Sequence, residues 1–155
     1  MKRAHLLLAA VLAGVAASSA AAGAQAAQGT VHAAKAAKLQ VRSTSLGKIL
    51  VNSAGFTVYR FTKDPRNKDT CVTTSGCAEV WPPLTTSGRP IAGAGVKASL
   101  LSTIKLSDGR KQVTYAGHPL YLYKSATERG ETSYVGVSSF GGTWDAVNTA
   151  GKLVK

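Results

Sequence analysis

The residues best equipped for chemistry are two cysteines, one histidine and a short acidic segment. Cys71 and Cys77 are the only cysteines, and they enclose Val72-Thr73-Thr74-Ser75-Gly76. In an exported chain an even pair reads as one disulfide, stabilising a loop this short by about 2–2.5 kcal/mol on the chain-entropy account. A redox-active dithiol is the sharper alternative, but such pairs are usually spaced C-x-x-C at a helix start. His118 is the only histidine after residue 32, and it lies between Gly117 and Pro119. That context predicts a solvent-facing turn. No second histidine follows to share a metal or haem, and no G-x-S-x-G marks a nucleophile. Asp64, Asn67 and Asp69 have the oxygens of a calcium loop, but Arg66 and Lys68 stand between them. The order is not D-x-[DN]-x-[DN]-G, so the segment is expected to be a charged surface turn with internal ion pairs. Asp64 is expected to cap the backbone of that turn. No catalytic residue, metal site or cofactor is assigned.

Charge is the broadest signal. The 155 residues contain 19 Lys+Arg and 7 Asp+Glu, a formal net charge of +12, with 45% hydrophobic and 17% charged residues. Such a composition is globular and excludes an acidic, solvating, disordered chain. Helix-turn-helix, zinc-finger and RNP-like patterns are missing, so sequence-specific nucleic-acid binding is not expected. Anionic cell-wall polymers or a membrane surface are the natural partners for an exported basic chain. Lys35, Lys38 and Arg42 are the candidate polyanion-binding residues of its N-terminal part.

The N-terminus carries an address. Lys2 and Arg3 precede the apolar stretch Leu6 to Ala17, and small residues follow up to Ala26. This is the order of a secretory signal peptide, assigned to residues 1–26. The apolar stretch is too diluted for a retained membrane span, so none is expected in the mature form. Cleavage after Ala26 removes two cations and leaves a charge of +10. Residues 27–45 are alanine-rich and read as a flexible basic linker. No cysteine precedes Cys71, so acyl anchoring at a lipobox is not expected.

The remaining residues, 46–155, read as one β domain made of two tandem repeats, about 46–90 and 107–153. Gly55 precedes Tyr59 as Gly117 precedes Tyr121, and Trp81, Leu84 and Gly88 match Trp144, Val147 and Gly151 in spacing. The offsets are 62 at the glycines and 63 at the tryptophans. Ile49–Val51 and Phe56–Phe61 flank turn residues, and Ser107-Asp108-Gly109-Arg110 sits between two apolar runs as a hairpin turn. Cys77–Val80 and Val96–Leu101 are the best short helical turns. The fold class is therefore all-β: antiparallel hairpins in two pseudo-repeated units, forming one small sandwich- or barrel-like domain. Period-2 geometry puts Tyr59 with Phe61, and Tyr121 with Tyr123, on single strand faces. Core packing sealed by Trp81 and Trp144 is the first reading of these aromatics. A stacking platform for flat ligands is the second.

Tyr59-Arg60-Phe61-Thr62-Lys63-Asp64 resembles the Yx(FWY)xxD motif of a bacterial family of predicted lipoproteins and secreted proteins, the secreted repeat of unknown function. Cys71 with Cys77, Trp81-Pro82-Pro83-Leu84, Pro119-Leu120-Tyr121 and Phe140-Gly141-Gly142-Thr143-Trp144 extend the likeness over about residues 46–151. The resemblance implies no established activity. Its members are often lipid-anchored, and this chain lacks the cysteine for that. The second copy also departs from the motif, because Ala126 stands where aspartate is wanted. The expected role is that of a secreted, non-catalytic, envelope-associated protein that binds anionic surface polymers. The alternative is an enzyme or small-ligand binder using Asp64, His118 and exposed aromatics.

Overall fold

The computed structural model describes residues 35–155. The signal-peptide assignment and the first part of the linker lie outside the described residues. Within them, strand structure begins earlier than the linker assignment allowed. Lys38–Thr44 is strand β1, paired antiparallel with β2 (Gly47–Asn52) from Leu39↔Asn52 to Thr44↔Gly47. The linker over residues 27–45 is thus corrected at its C-terminal end. The alanines just upstream obscured a period-2 pattern in which Leu39 is fully buried and Val41 packs against the core.

The chain continues through β3 (Tyr59–Phe61), the one-turn helix α1 (Cys77–Val80), β4 (Thr85–Thr86) and β5 (Ile91–Ala92). A 3-10 turn at Ala98–Leu100 leads to β6 (Leu101–Lys105), β7 (Lys111–Tyr115) and β8 (His118–Pro119). Three strands close the sequence: β9 (Val137–Ser139), β10 (Gly142–Val147) and β11 (Leu153–Val154). They form sheets ordered β2-β1-β5, β11-β10-β3 with β9 also on β10, and β4-β7-β6 with β8 also on β7. The architecture is all-β and sandwich-like, without barrel closure among the described residues. One pairing breaks the antiparallel rule: β1 and β5 run parallel, through Lys38↔Ile91 and Leu39↔Ala92.

The two repeats match residue by residue. Leu39↔Asn52 in the first hairpin corresponds to Leu101↔Tyr115 in the second, at offsets of 62 and 63. Each unit therefore includes a strand ahead of the boundaries at 46 and 107 read from the sequence. The units also exchange their last strands. Ala146 pairs with Tyr59, and its counterpart Pro83 bridges to Tyr121. Asn148 bridges to Ile49, and its counterpart Thr85 pairs with Gln112. The stretch after each tryptophan thus leaves its own unit and completes the other.

A pseudo-twofold axis follows from this exchange. Tyr59 N–H donates to the Tyr121 carbonyl at 2.9 Å, and Tyr121 N–H donates back to the Tyr59 carbonyl at 3.0 Å. Trp81 and Trp144 stack with centroids 4.2 Å apart and planes 4° from parallel. Each takes the edge of a motif tyrosine, Tyr59 on Trp81 at 5.2 Å and Tyr121 on Trp144 at 5.1 Å. The central strands are buried on both faces. Tyr59, Phe61, Tyr121 and both tryptophans form an aromatic core with the two cysteines. Val58, Leu120 and Val147, the alternating neighbours, enter a second, mainly aliphatic core with Leu39, Leu50, Val113 and the ring of Tyr115.

Candidate functional site

The family motif builds a buried junction. Tyr59 and Phe61 put their rings into the aromatic core, and a turn closed by Asp64 N–H on the Phe61 carbonyl brings the aspartate back toward it. Asp64 is 6% exposed. One carboxylate oxygen accepts the Tyr121 hydroxyl at 2.5 Å, and the other accepts the Thr70 N–H at 2.8 Å and hydroxyl at 2.6 Å. The carboxylate thereby joins the tyrosine of the second repeat to the chain entering the Cys71–Cys77 disulfide. Burial raises the Asp64 carboxyl above its ordinary value, partly opposed by the Thr70 and Tyr121 hydrogen bonds. The Tyr121 phenol is pushed up strongly by burial and then by the Asp64 charge. The turn is not a surface ion-pair loop. Asp69 is also buried and caps the Val72 N–H, and the salt bridge found among the described residues is Arg110–Asp108.

The second copy meets the same need with other atoms. Ala126 takes the place of Asp64, and its N–H closes the equivalent turn on the Tyr123 carbonyl. Tyr59 donates its hydroxyl to the Glu131 backbone carbonyl at 3.3 Å, shared with Thr57 at 2.7 Å. Tyr123 is half-buried, between Trp81 at 4.8 Å and Tyr134 at 3.8 Å. Phe61 stacks on Trp144 at 4.2 Å.

His118 departs from the expected solvent-facing turn. It lies in β8, opposite Tyr115, half-buried, with Nδ1 away from solvent. Its pKa is lowered by burial and by the nearby Arg60 and Arg66 charges. The Arg66 guanidinium covers Gly117 so closely that a Cβ there would lie 2.6 Å from Nη2, and the φ of 77° independently favours glycine. On the neighbouring strands Arg60 faces Asp145 in register. Asp145 is fully buried, and among the described residues neither carboxylate oxygen meets a hydrogen-bond donor. Arg60 donates through Nη1 to the Gly151 carbonyl at 2.9 Å. Sequence reading missed this pair. Its only trace is a charge of opposite sign at the middle of each of two otherwise buried strand segments, Tyr-Arg-Phe and Trp-Asp-Ala. Among the described residues no group of three or more His, Cys, Asp or Glu side chains is placed to hold a metal.

The three N-terminal cations lie at the start of the described residues, Lys35 ahead of β1 and the other two within it. Lys38 and Arg42 belong to β1, and Arg42 lies so close over Gly130 that a Cβ there would collide with it. Lys35 instead lines a cleft of about 420 Å³ with Thr85, Ser87, Arg110 and Lys111. A second cleft of about 300 Å³ is lined by Arg89, Ser102, Thr103 and again Lys111. Lys35, Arg89, Arg110 and Lys111 are all exposed. Arg110 is paired with Asp108 at 2.6 Å across the β6–β7 turn.

A family model described as a secreted repeat of unknown function matches the chain twice, at residues 40–85 and 102–148. No curated protein and no solved structure matches it. The two matched segments begin within β1 and β6, where the strand register also starts the units. With both repeats matched and the motif residues at the pseudo-twofold axis, the chain belongs to the family of secreted repeats of unknown function.

Proposed function

We propose that this secreted protein is a non-catalytic, envelope-associated module that binds anionic surface polymers. The observation that carries the reading is a segregation of charge. Of the seven acidic residues, Asp64, Asp69 and Asp145 are buried, whereas the cations are mostly at the surface. The exterior is therefore more basic than the net charge alone indicates, and attraction to a polyanion needs no enclosed pocket. An enzyme built on Asp64 and His118 is less well supported. The oxygens of Asp64 are engaged by Tyr121 and Thr70, and Tyr59, Phe61 and Tyr121 have their rings in the core.

The test is retention of the purified protein on cell-wall fractions and on vesicles containing anionic phospholipid. Screening shortens from about 10 Å at 0.1 M salt to about 3 Å at 1 M, so retention should fall sharply over that range. Retention unchanged at 1 M salt, or no retention at low salt, overturns the reading.

A further inference from the structure

We propose that the two clefts beside β4 and β7 form one groove for a linear phosphate polymer, with Lys111 as the cation shared between successive phosphates. The proposal rests on the polyanion reading above and names its ligand and its site. Three observations support it. Lys111 lines both clefts, so the two adjoin at this residue. Lys35 and Arg110 line the first cleft with it and Arg89 the second, with no carboxylate in either lining. The remaining lining includes the hydroxyl-bearing residues Thr85 and Ser87 in the first cleft and Ser102 and Thr103 in the second, of which neighbouring Ser102 and Thr103 point to opposite faces of their strand.

The linings also bear on what joins the phosphates. Neither cleft contains an aromatic side chain, whereas single-stranded nucleic acids are held largely by stacking bases on aromatic rings. The groove therefore suits a polymer whose repeat is small and polar, with phosphate as the recognised group. Asp108 opposes binding. Its carboxylate holds Arg110 at 2.6 Å and also accepts the Arg110 N–H at 2.9 Å, which shapes the turn. Asn at this position removes the charge and keeps a side-chain oxygen to accept the Arg110 N–H.

Binding of the full secreted chain to inorganic polyphosphate, poly(glycerol phosphate), single-stranded DNA and polygalacturonate tests the proposal, with titrations from 0.05 to about 0.5 M salt. Both phosphate polymers should bind more tightly than DNA or polygalacturonate. Arg89→Gln with Lys111→Gln should weaken polyphosphate binding about tenfold and reduce the log–log salt slope by about 1.4, at roughly 0.7 for each phosphate no longer neutralised. Asp108→Asn should strengthen binding several-fold. Lys48→Gln with Lys63→Gln, exposed cations outside both clefts, should leave the preference for phosphate intact. Circular dichroism confirms that each variant is folded. Equal loss from the cleft and remote pairs, or equal affinity for phosphate and carboxylate polymers, overturns the groove while the polyanion reading stands. Failure of every polymer to bind at low salt overturns both.

Discussion

Between the motif turn and the tryptophan, the two repeats solve one construction problem with different chemistry. In the first unit Asp64 anchors the chain, the Cys71–Cys77 bridge ties the loop, and helix α1 delivers Trp81. At the matching positions the second unit has Ala126, Tyr134 and Phe140. Tyr134 and Phe140 pack against the aromatic core that the cysteines enter, and a β9–β10 hairpin delivers Trp144. The next positions differ as well. Asp145 and Ala146 continue a ladder with β3, but Pro82 and Pro83 lack N–H groups and leave a single bridge at Pro83↔Tyr121. What the frame demands is filled volume beside the tryptophans and an acceptor for each buried tyrosine hydroxyl. It does not demand a particular residue type.

The tryptophans should show the equivalence most strongly. Trp81→Ala and Trp144→Ala each remove a fully buried ring from one stack and should each cost about 3–5 kcal/mol, read from denaturant midpoints. Similar losses support the pseudo-twofold frame. A large loss at only one position breaks it. The bridge should matter next. Cys71→Ser with Cys77→Ser should cost about 2–2.5 kcal/mol, and reducing agent should have the same effect on the parent protein and none on the variant. If Tyr134 and Phe140 do the equivalent work by packing, Phe140→Ala should be destabilising in reducing and oxidising buffer alike.

Asp64 separates the halves by pH. Its carboxyl is raised in the folded state, so the native protein binds this proton more tightly than the unfolded chain. The associated stabilisation is full below the unfolded value of about 3.9 and is lost as pH rises through the folded value. Denaturation measured between pH 4 and 8 should therefore show a decline in stability with rising pH that Asp64→Asn flattens. At neutral pH the same substitution should cost about 1–2 kcal/mol through the altered Tyr121 and Thr70 bonds. An unchanged profile in Asp64→Asn would remove the carboxylate from this role. The smallest effect is expected from Ala126→Asp, which restores the motif in the second unit. Tyr59 already has the Glu131 carbonyl, so the change should stay within about 1 kcal/mol. A clear stabilisation would mean that the carbonyl is a poor substitute.

Much of the frame was legible because it is written locally. The Asp108-Gly109 hairpin, the Cys77–Val80 turn and the cysteine pair each depend on neighbours in sequence, and the 62–63 offset shows as a repetition of residue types. The exchange of strands was not legible, because partners such as Ile49 and Asn148 carry no mutual signal along the chain. Strand β1 was hidden by the alanines before it. The clefts were hidden for another reason: Arg89 and Lys111 look ordinary in sequence, and the pairing of Thr86 with Lys111 brings β4, just ahead of Arg89, against β7. His118 was misplaced because glycine and proline on either side signal a turn, whereas the structure sets it into a two-residue strand against Tyr115.

The exchanged strands also set the order in which the molecule can form. Ile49 and Asn148 lie 99 positions apart, and the paired Tyr59 and Ala146 lie nearly as far. The hairpins can close early, but neither half has a complete core until the last strand arrives. Such late, non-local closure raises contact order and slows folding.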